Sequence, residues 1–126
     1  MAIYFTIKEM TKSQTAKLYH IDNTPTQKEI ENLKKVMYIL DMVRVYMGKP
    51  ILINSGYRCK KLNEKVGGVQ KSMHTRGLAA DFRTDRIEDI GRMLEFLEKN
   101  HKDFKIVELI NYTTFIHMGI SETLTI

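Results

Sequence analysis

The sequence is poor in the features that most readily assign a chain to a class. Cys59 is the only cysteine among 126 residues, so no intrachain disulfide can form and no zinc site can be built from thiolates. No apolar run approaches the roughly 18 residues of a membrane span, and no stable membrane insertion is expected. The opening stretch MAIYFTIKEMTKSQ lacks the basic start, apolar middle and small-residue cleavage site of a secretory signal. Synthesis in the cytoplasm without a signal peptide is the expectation. There is no internal repeat, no low-complexity segment, and no basic tract or aromatic-basic alternation of the kind that makes a nucleic-acid platform. The lysines are scattered, with Lys-Lys pairs at 34–35 and 60–61. The formal charge of +5 favours anionic partners such as nucleic acid, anionic lipid or an acidic cell-wall polymer, but with the lysines so scattered it reads as a solvated basic surface. Cys59 lies beside Arg58, Lys60 and Lys61, which would lower a thiol pKa. With no histidine near it in sequence, it reads as a plain surface thiol.

What is present fits one compact domain over residues 1–126, with 43% apolar and 28% charged residues. The first two dozen residues are mostly polar and short-patterned. IDNTPTQKEI then predicts a helix start, with Thr24 as N-cap, Pro25 at the first helical position and Gln27 at capping-box spacing. Ile30, Leu33, Val36, Met37, Leu40, Val43 and Met47 recur at three- and four-residue steps, an amphipathic helix of about 22 residues stopped by Gly48 and Pro50. ILIN (51–54) reads as a buried strand, KKLNEKV as a short helix and LAADFR as a strand. A second long helix is predicted from about Arg86 to Asn100, turning Ile87, Ile90, Met93, Leu94 and Leu97 inward. KIVELI and TFIHMGI alternate as strands around an NYTT turn. The fold class expected is α+β: a small, largely antiparallel sheet packed with two long helices, with any site lying at the sheet edge and adjoining loop.

Four histidines are present. His20, before a polar loop, and His101, at a helix end, read as surface residues. His74 lies in a glycine-punctuated loop feeding the strand that carries Asp81, and His117 lies on an otherwise apolar strand. Taken singly, a histidine on such a strand is a core residue with one hydrogen bond. Taken together, two imidazoles and a carboxylate make three N/O ligands, the number in a catalytic zinc site with one position left for water.

The run SGYRCKKLNEKVGGVQKSMHTRGLAAD (55–81) resembles the zinc D-alanyl-D-alanine carboxypeptidases and the L-alanyl-D-glutamate endolysins of bacteriophages. Their SGYR, downstream LN, VGG, SxH and GxAxD stand here in order and spacing. IDNTP and the NL of the first long helix are similar to the small single-domain, phage-associated members, and FIHMGI resembles their closing WVH strand. The resemblance runs from about Phe5 to Gly119. It implies that His74, Asp81 and His117 bind Zn²⁺, and that Ser72 and Arg58 line the substrate side. In that setting Arg58 would stabilise an oxyanion or hold a substrate carboxylate through its fork, and Ser72 would hydrogen-bond the peptide. Simpler readings are that Arg58 pins the loop and Ser72 caps a turn. Gly67, Gly68 and Gly77 read as backbone devices beside the metal.

The activity implied is zinc-dependent hydrolysis of an amide in peptidoglycan stem peptides, by an endolysin-type endopeptidase or a D,D-carboxypeptidase. The protein would be a monomer acting at the bacterial wall through phage lysis or as a virion component. An alternative is a catalytically weakened wall-binding module, and a third is a structural protein whose zinc only stabilises the fold. One departure matters. Relatives carry their general base three residues before the last histidine, where this chain has Thr114. The preferred base is Glu108: in a hairpin with Tyr112 and Thr113 at its tip, Ile110 would face Phe115 and Glu108 would face His117, Cβ atoms roughly 4.5–5.5 Å apart. Glu108 would then serve the water, or orient His117. Tyr112 is the fallback, as a hydrogen-bond donor to the intermediate.

Overall fold

The computed structural model describes residues 3–126. Two short helices, α1 (Ile7–Thr11) and α2 (Gln14–Leu18), occupy the polar N-terminal stretch, each capped by the hydroxyl before it, Thr6 and Ser13. The long helix α3 spans Gln27–Met47 and ends on Gly48 in the left-handed region (φ 68°). Its start lies two residues later than the sequence suggests. Thr24 is engaged by Asp22, whose carboxylate accepts both its N–H and its hydroxyl. Thr26 takes the cap instead, in a capping box with Glu29.

Four strands follow in an antiparallel sheet of order β1-β2-β4-β3. They are β1 (Leu52–Ser55), β2 (Ala79–Arg83), β3 (Ile106–Asn111) and β4 (Ile116–Ile120), with α4 (Lys60–Lys65) and α5 (Ile90–Lys99) between them. The α+β class expected from the sequence is the class observed. Ala80 and Phe82 of β2 and Ile116, Met118 and Ile120 of β4 share one sheet face, packed in a single core with Leu33, Val36, Leu40 and Val43 of α3 and Met93 and Leu97 of α5. The period of two sends Asp81 and His117 to the other face.

Three local expectations need correction. β1 is an edge strand rather than a buried one: Ile51 just before it is the buried residue, while Leu52 is 39% exposed. The second long helix begins as a 3-10 turn, Ile87–Asp89, and Ile87 is exposed rather than inward, because the tighter turn breaks the helical phase. Cys59 is half-buried: its Sγ accepts the Leu62 N–H at the start of α4, so it is a helix cap and not a free surface thiol.

Candidate metal centre

Two antiparallel partners and one turn bring the three predicted ligands together. Asp81 on β2 lies directly opposite His117 on β4. His74 sits in the 3-10 turn Met73–Arg76, which leads into β2 after Gly77 adopts the left-handed region (φ 72°). A Cβ at Gly77 would lie 2.6 Å from the Glu29 carbonyl oxygen, so glycine is needed there for space as well as conformation. His74 Nε2 lies 3.2 Å and His117 Nδ1 2.8 Å from Asp81 Oδ1. One ligand atom from each of the three residues falls within 4.8 Å of the others.

The far nitrogen of each imidazole is anchored. His74 Nδ1 bonds the Gly56 carbonyl oxygen at 2.7 Å, and His117 Nε2 bonds Glu108 Oε1 at 2.7 Å. With those nitrogens protonated and donating, His74 Nε2 and His117 Nδ1 are the nitrogens left to bind a metal; where either carries a proton instead, it donates to the Asp81 oxygen. Anchoring of the far nitrogen is the outer-shell arrangement of metal-ligating histidines. The donor set, two neutral imidazoles and a carboxylate, fits Zn²⁺.

The charges agree with this grouping. Burial pushes the Asp81 carboxyl up, but hydrogen bonds from His117 and His74 and their charges outweigh it and hold the group at about 2. The bond to Asp81 raises the His117 imidazole above its ordinary value; burial opposes this and Glu108 adds to it. Burial pulls the Arg58 guanidinium down while Asp81 acts to raise it.

A cleft of about 430 Å³ opens over the three residues, its walls including Arg58, Lys71, Ser72, Glu108, Ile110 and Tyr112. Arg58 is half-buried, and its Nε is a buried atom with no hydrogen-bond partner among the described residues. The Ser72 oxygen accepts the His74 N–H and caps the turn that presents His74. Tyr112 is stacked on Phe115, ring centroids 5.0 Å apart. His20 and His101 are exposed and stand apart from this group, His101 bonding the Glu98 carbonyl instead.

The hairpin register differs from the sequence expectation. Ile110 opposes His117, and Glu108 opposes Gly119. The Phe115 carbonyl accepts the Tyr112 N–H across a turn whose Thr113 takes φ 74°, so the turn is shifted toward the C-terminus. A shift of two residues keeps every side chain on its face. Glu108 therefore still reaches His117, diagonally rather than from directly opposite. Two contributors were not singled out from the sequence. Gly56 supplies the carbonyl that orients His74, and lies against Met10, whose oxygen would be 2.2 Å from an added Cβ. Gly119 leaves the room through which Glu108 leans, since a Cβ there would sit 2.8 Å from Glu108 Oε1. The only sequence signal for either was a glycine inside a motif.

Among individually curated proteins none matches the chain. The family model described as Peptidase M15 matches residues 3–119, which takes in every residue of the centre. With that match over nearly the whole length, and two histidines and an aspartate converging as zinc ligands would, the chain belongs to the peptidase M15 family of zinc-dependent peptidases.

Proposed function

We propose that the protein hydrolyses an amide bond in bacterial peptidoglycan stem peptides, as an endolysin-type endopeptidase or a D,D-carboxypeptidase. The observation that carries this reading is the convergence of His74, Asp81 and His117 at the floor of a cleft that also presents Arg58. Zinc bound there supplies Lewis-acid chemistry, polarising the scissile carbonyl and acidifying a water. His74, Asp81 and His117 would hold the ion. Arg58, whose Nε has no partner within the described residues, offers its fork to an oxyanion or to a substrate carboxylate. With Lys71 it gives the cleft a cationic side suited to the carboxylates of stem peptides. The Ser72 oxygen accepts from His74 and leaves its own O–H to donate to the peptide.

Glu108 is assigned as the proton acceptor. Apart from Asp81 it is the only carboxylate on the cleft walls among the described residues, and while His117 holds Oε1, Oε2 is left for the proton. The protein acts as a monomer at the bacterial wall, released by phage lysis or carried on a virion. A second reading, a wall-binding module with weak turnover, draws on Thr114 at the position where relatives carry their base and on the commitment of Glu108 Oε1 to His117.

The test is incubation of the zinc-loaded protein with purified peptidoglycan, beside Asp81→Ala and Glu108→Gln. New amino groups released by the wild type alone support the enzyme. Stoichiometric zinc and wall pull-down without cleavage support the module.

A further inference from the structure

A second and larger cavity, about 580 Å³, adjoins the metal cleft. One wall is the strand β1, residues 52–55; the other is the α1–α2 segment, with Glu9, Lys12 and Gln14. Arg58 lines both cavities, and where Val66 borders one, the next residue, Gly67, borders the other. Groove and cleft therefore meet at Arg58, whose Nε is buried without a hydrogen-bond partner among the described residues.

β1 is an open edge. It pairs only with β2, and among the described residues 52–55 make no hydrogen bond outside that ladder. The first bond beyond it is Tyr57 N–H to the Met10 carbonyl, 2.7 Å, where α1 closes over the chain. The strand also leads to the metal ligands, since its last residue, Ser55, is the register partner of Asp81. Four residues of edge span about 13 Å, enough to pair with about four residues of extended chain. The opposite edge strand, β3, borders the metal cleft itself through Glu108 and Ile110, but the separate cavity beside it, about 330 Å³, shares no lining residue with that cleft.

We propose that this groove is the peptide subsite of the metal cleft, in which an extended segment of the substrate adds to the outer edge of β1. The proposal rests on the peptidase reading of the cleft and states where the rest of the substrate lies. Main-chain groups of the edge supply the recognition, as in strand addition generally. The mixed wall of Glu9, Lys12 and Gln14 faces the substrate's own charges and amides. Two or three such edge bonds correspond to about tenfold or more in affinity.

The experiment compares a synthetic stem pentapeptide, L-Ala–D-Glu–L-Lys–D-Ala–D-Ala, with the dipeptides L-Ala–D-Glu and D-Ala–D-Ala. Binding to the metal-free protein is read by hydrogen exchange, and cleavage is read with zinc. Expected are slowed exchange at the amides of 52–55 with the pentapeptide alone, and about tenfold or more in kcat/KM over the dipeptide that is cut. Asn54→Trp, an exposed edge residue with no side-chain bond among the described residues, should remove that preference and leave dipeptide cleavage unchanged. Cleavage without length preference, and without protection of 52–55, overturns the groove and leaves the peptidase reading standing. Protection of 52–55 without any cleavage supports the groove and overturns the peptidase reading. Neither protection nor cleavage overturns both.

Discussion

Glu108 touches His117 from a position opposite Gly119, and it does so because Gly119 has no side chain. The carboxylate crosses the face of β4 to put Oε1 2.7 Å from His117 Nε2. A methyl group at residue 119 would lie 2.8 Å from that oxygen, 3.1 Å from Glu108 Cβ and 2.7 Å from Met73 Sδ. The hydrogen bond that orients His117, a proposed metal ligand, thus depends on an empty space two residues away in sequence.

Gly119→Ala should therefore act on the metal more than on the fold. Two of the three atoms it would meet are flexible side-chain ends, so the stability cost should stay near the low end of the ~1–3 kcal/mol usual for overpacking. Zinc affinity should fall by about 10–100-fold, the usual penalty for losing an outer-shell partner. Competition with a chromophoric chelator measures the affinity and thermal denaturation measures the fold. A variant that keeps wild-type zinc affinity would show that the Glu108–His117 bond does not orient the ligand.

Glu108→Gln and Glu108→Ala separate the two services this residue can perform. Glutamine keeps an oxygen for the His117 N–H but cannot take a proton; alanine loses both. If Glu108 is the proton acceptor, glutamine should retain zinc and lose about 10²–10⁴-fold in kcat. Alanine should lose that and also about 10–100-fold in zinc affinity. Near wild-type kcat in the glutamine variant would assign Glu108 to positioning alone.

The long helix tests how the fold is started. Thr26 accepts the Glu29 N–H while the Glu29 carboxylate accepts the Thr26 N–H. Thr26→Ala should cost about 1 kcal/mol, seen as a lower denaturant midpoint with an unchanged slope. Thr24→Ala should not reproduce it, since that hydroxyl serves Asp22.

These cases show what was legible in the sequence. The metal trio was legible through the resemblance carried by the SGYR-to-GLAAD run and the FIHMGI strand; residue chemistry, and an apolar alternation that turns Asp81 and His117 away from the core, agreed with it without fixing it. The same alternation kept Glu108 on the correct face although the hairpin register was read two residues out. The register itself depended on the turn, where Thr113 adopts a left-handed φ that no residue pattern announced. The helix start was not legible, because Thr24 and Thr26 are equally good caps in the sequence and only the Asp22 side chain, which engages Thr24, decides between them. Edge and centre of the sheet were confused at ILIN because an apolar run does not say how many neighbours a strand has.

The metal site should also reverse the pH dependence of stability. Without zinc, Asp81 is held at about 2 against an ordinary 3.8, so its contribution is present above 3.8 and is lost as pH falls toward 2. His117 is raised above its ordinary 6.5, so its contribution is full below 6.5 and is lost as pH rises through the raised value. The metal-free protein should therefore be most stable between about pH 4 and 6.5 as far as these two groups decide it. Zinc requires His117 to be neutral, so its binding strengthens over the same rise in pH that removes the His117–Asp81 contribution. The gain in melting temperature on adding zinc should be small near pH 5.5 and grow toward pH 8. Scanning calorimetry of chelated and zinc-loaded protein across that range checks it. A zinc-induced gain that stays flat with pH would mean that His117 does not titrate against the metal.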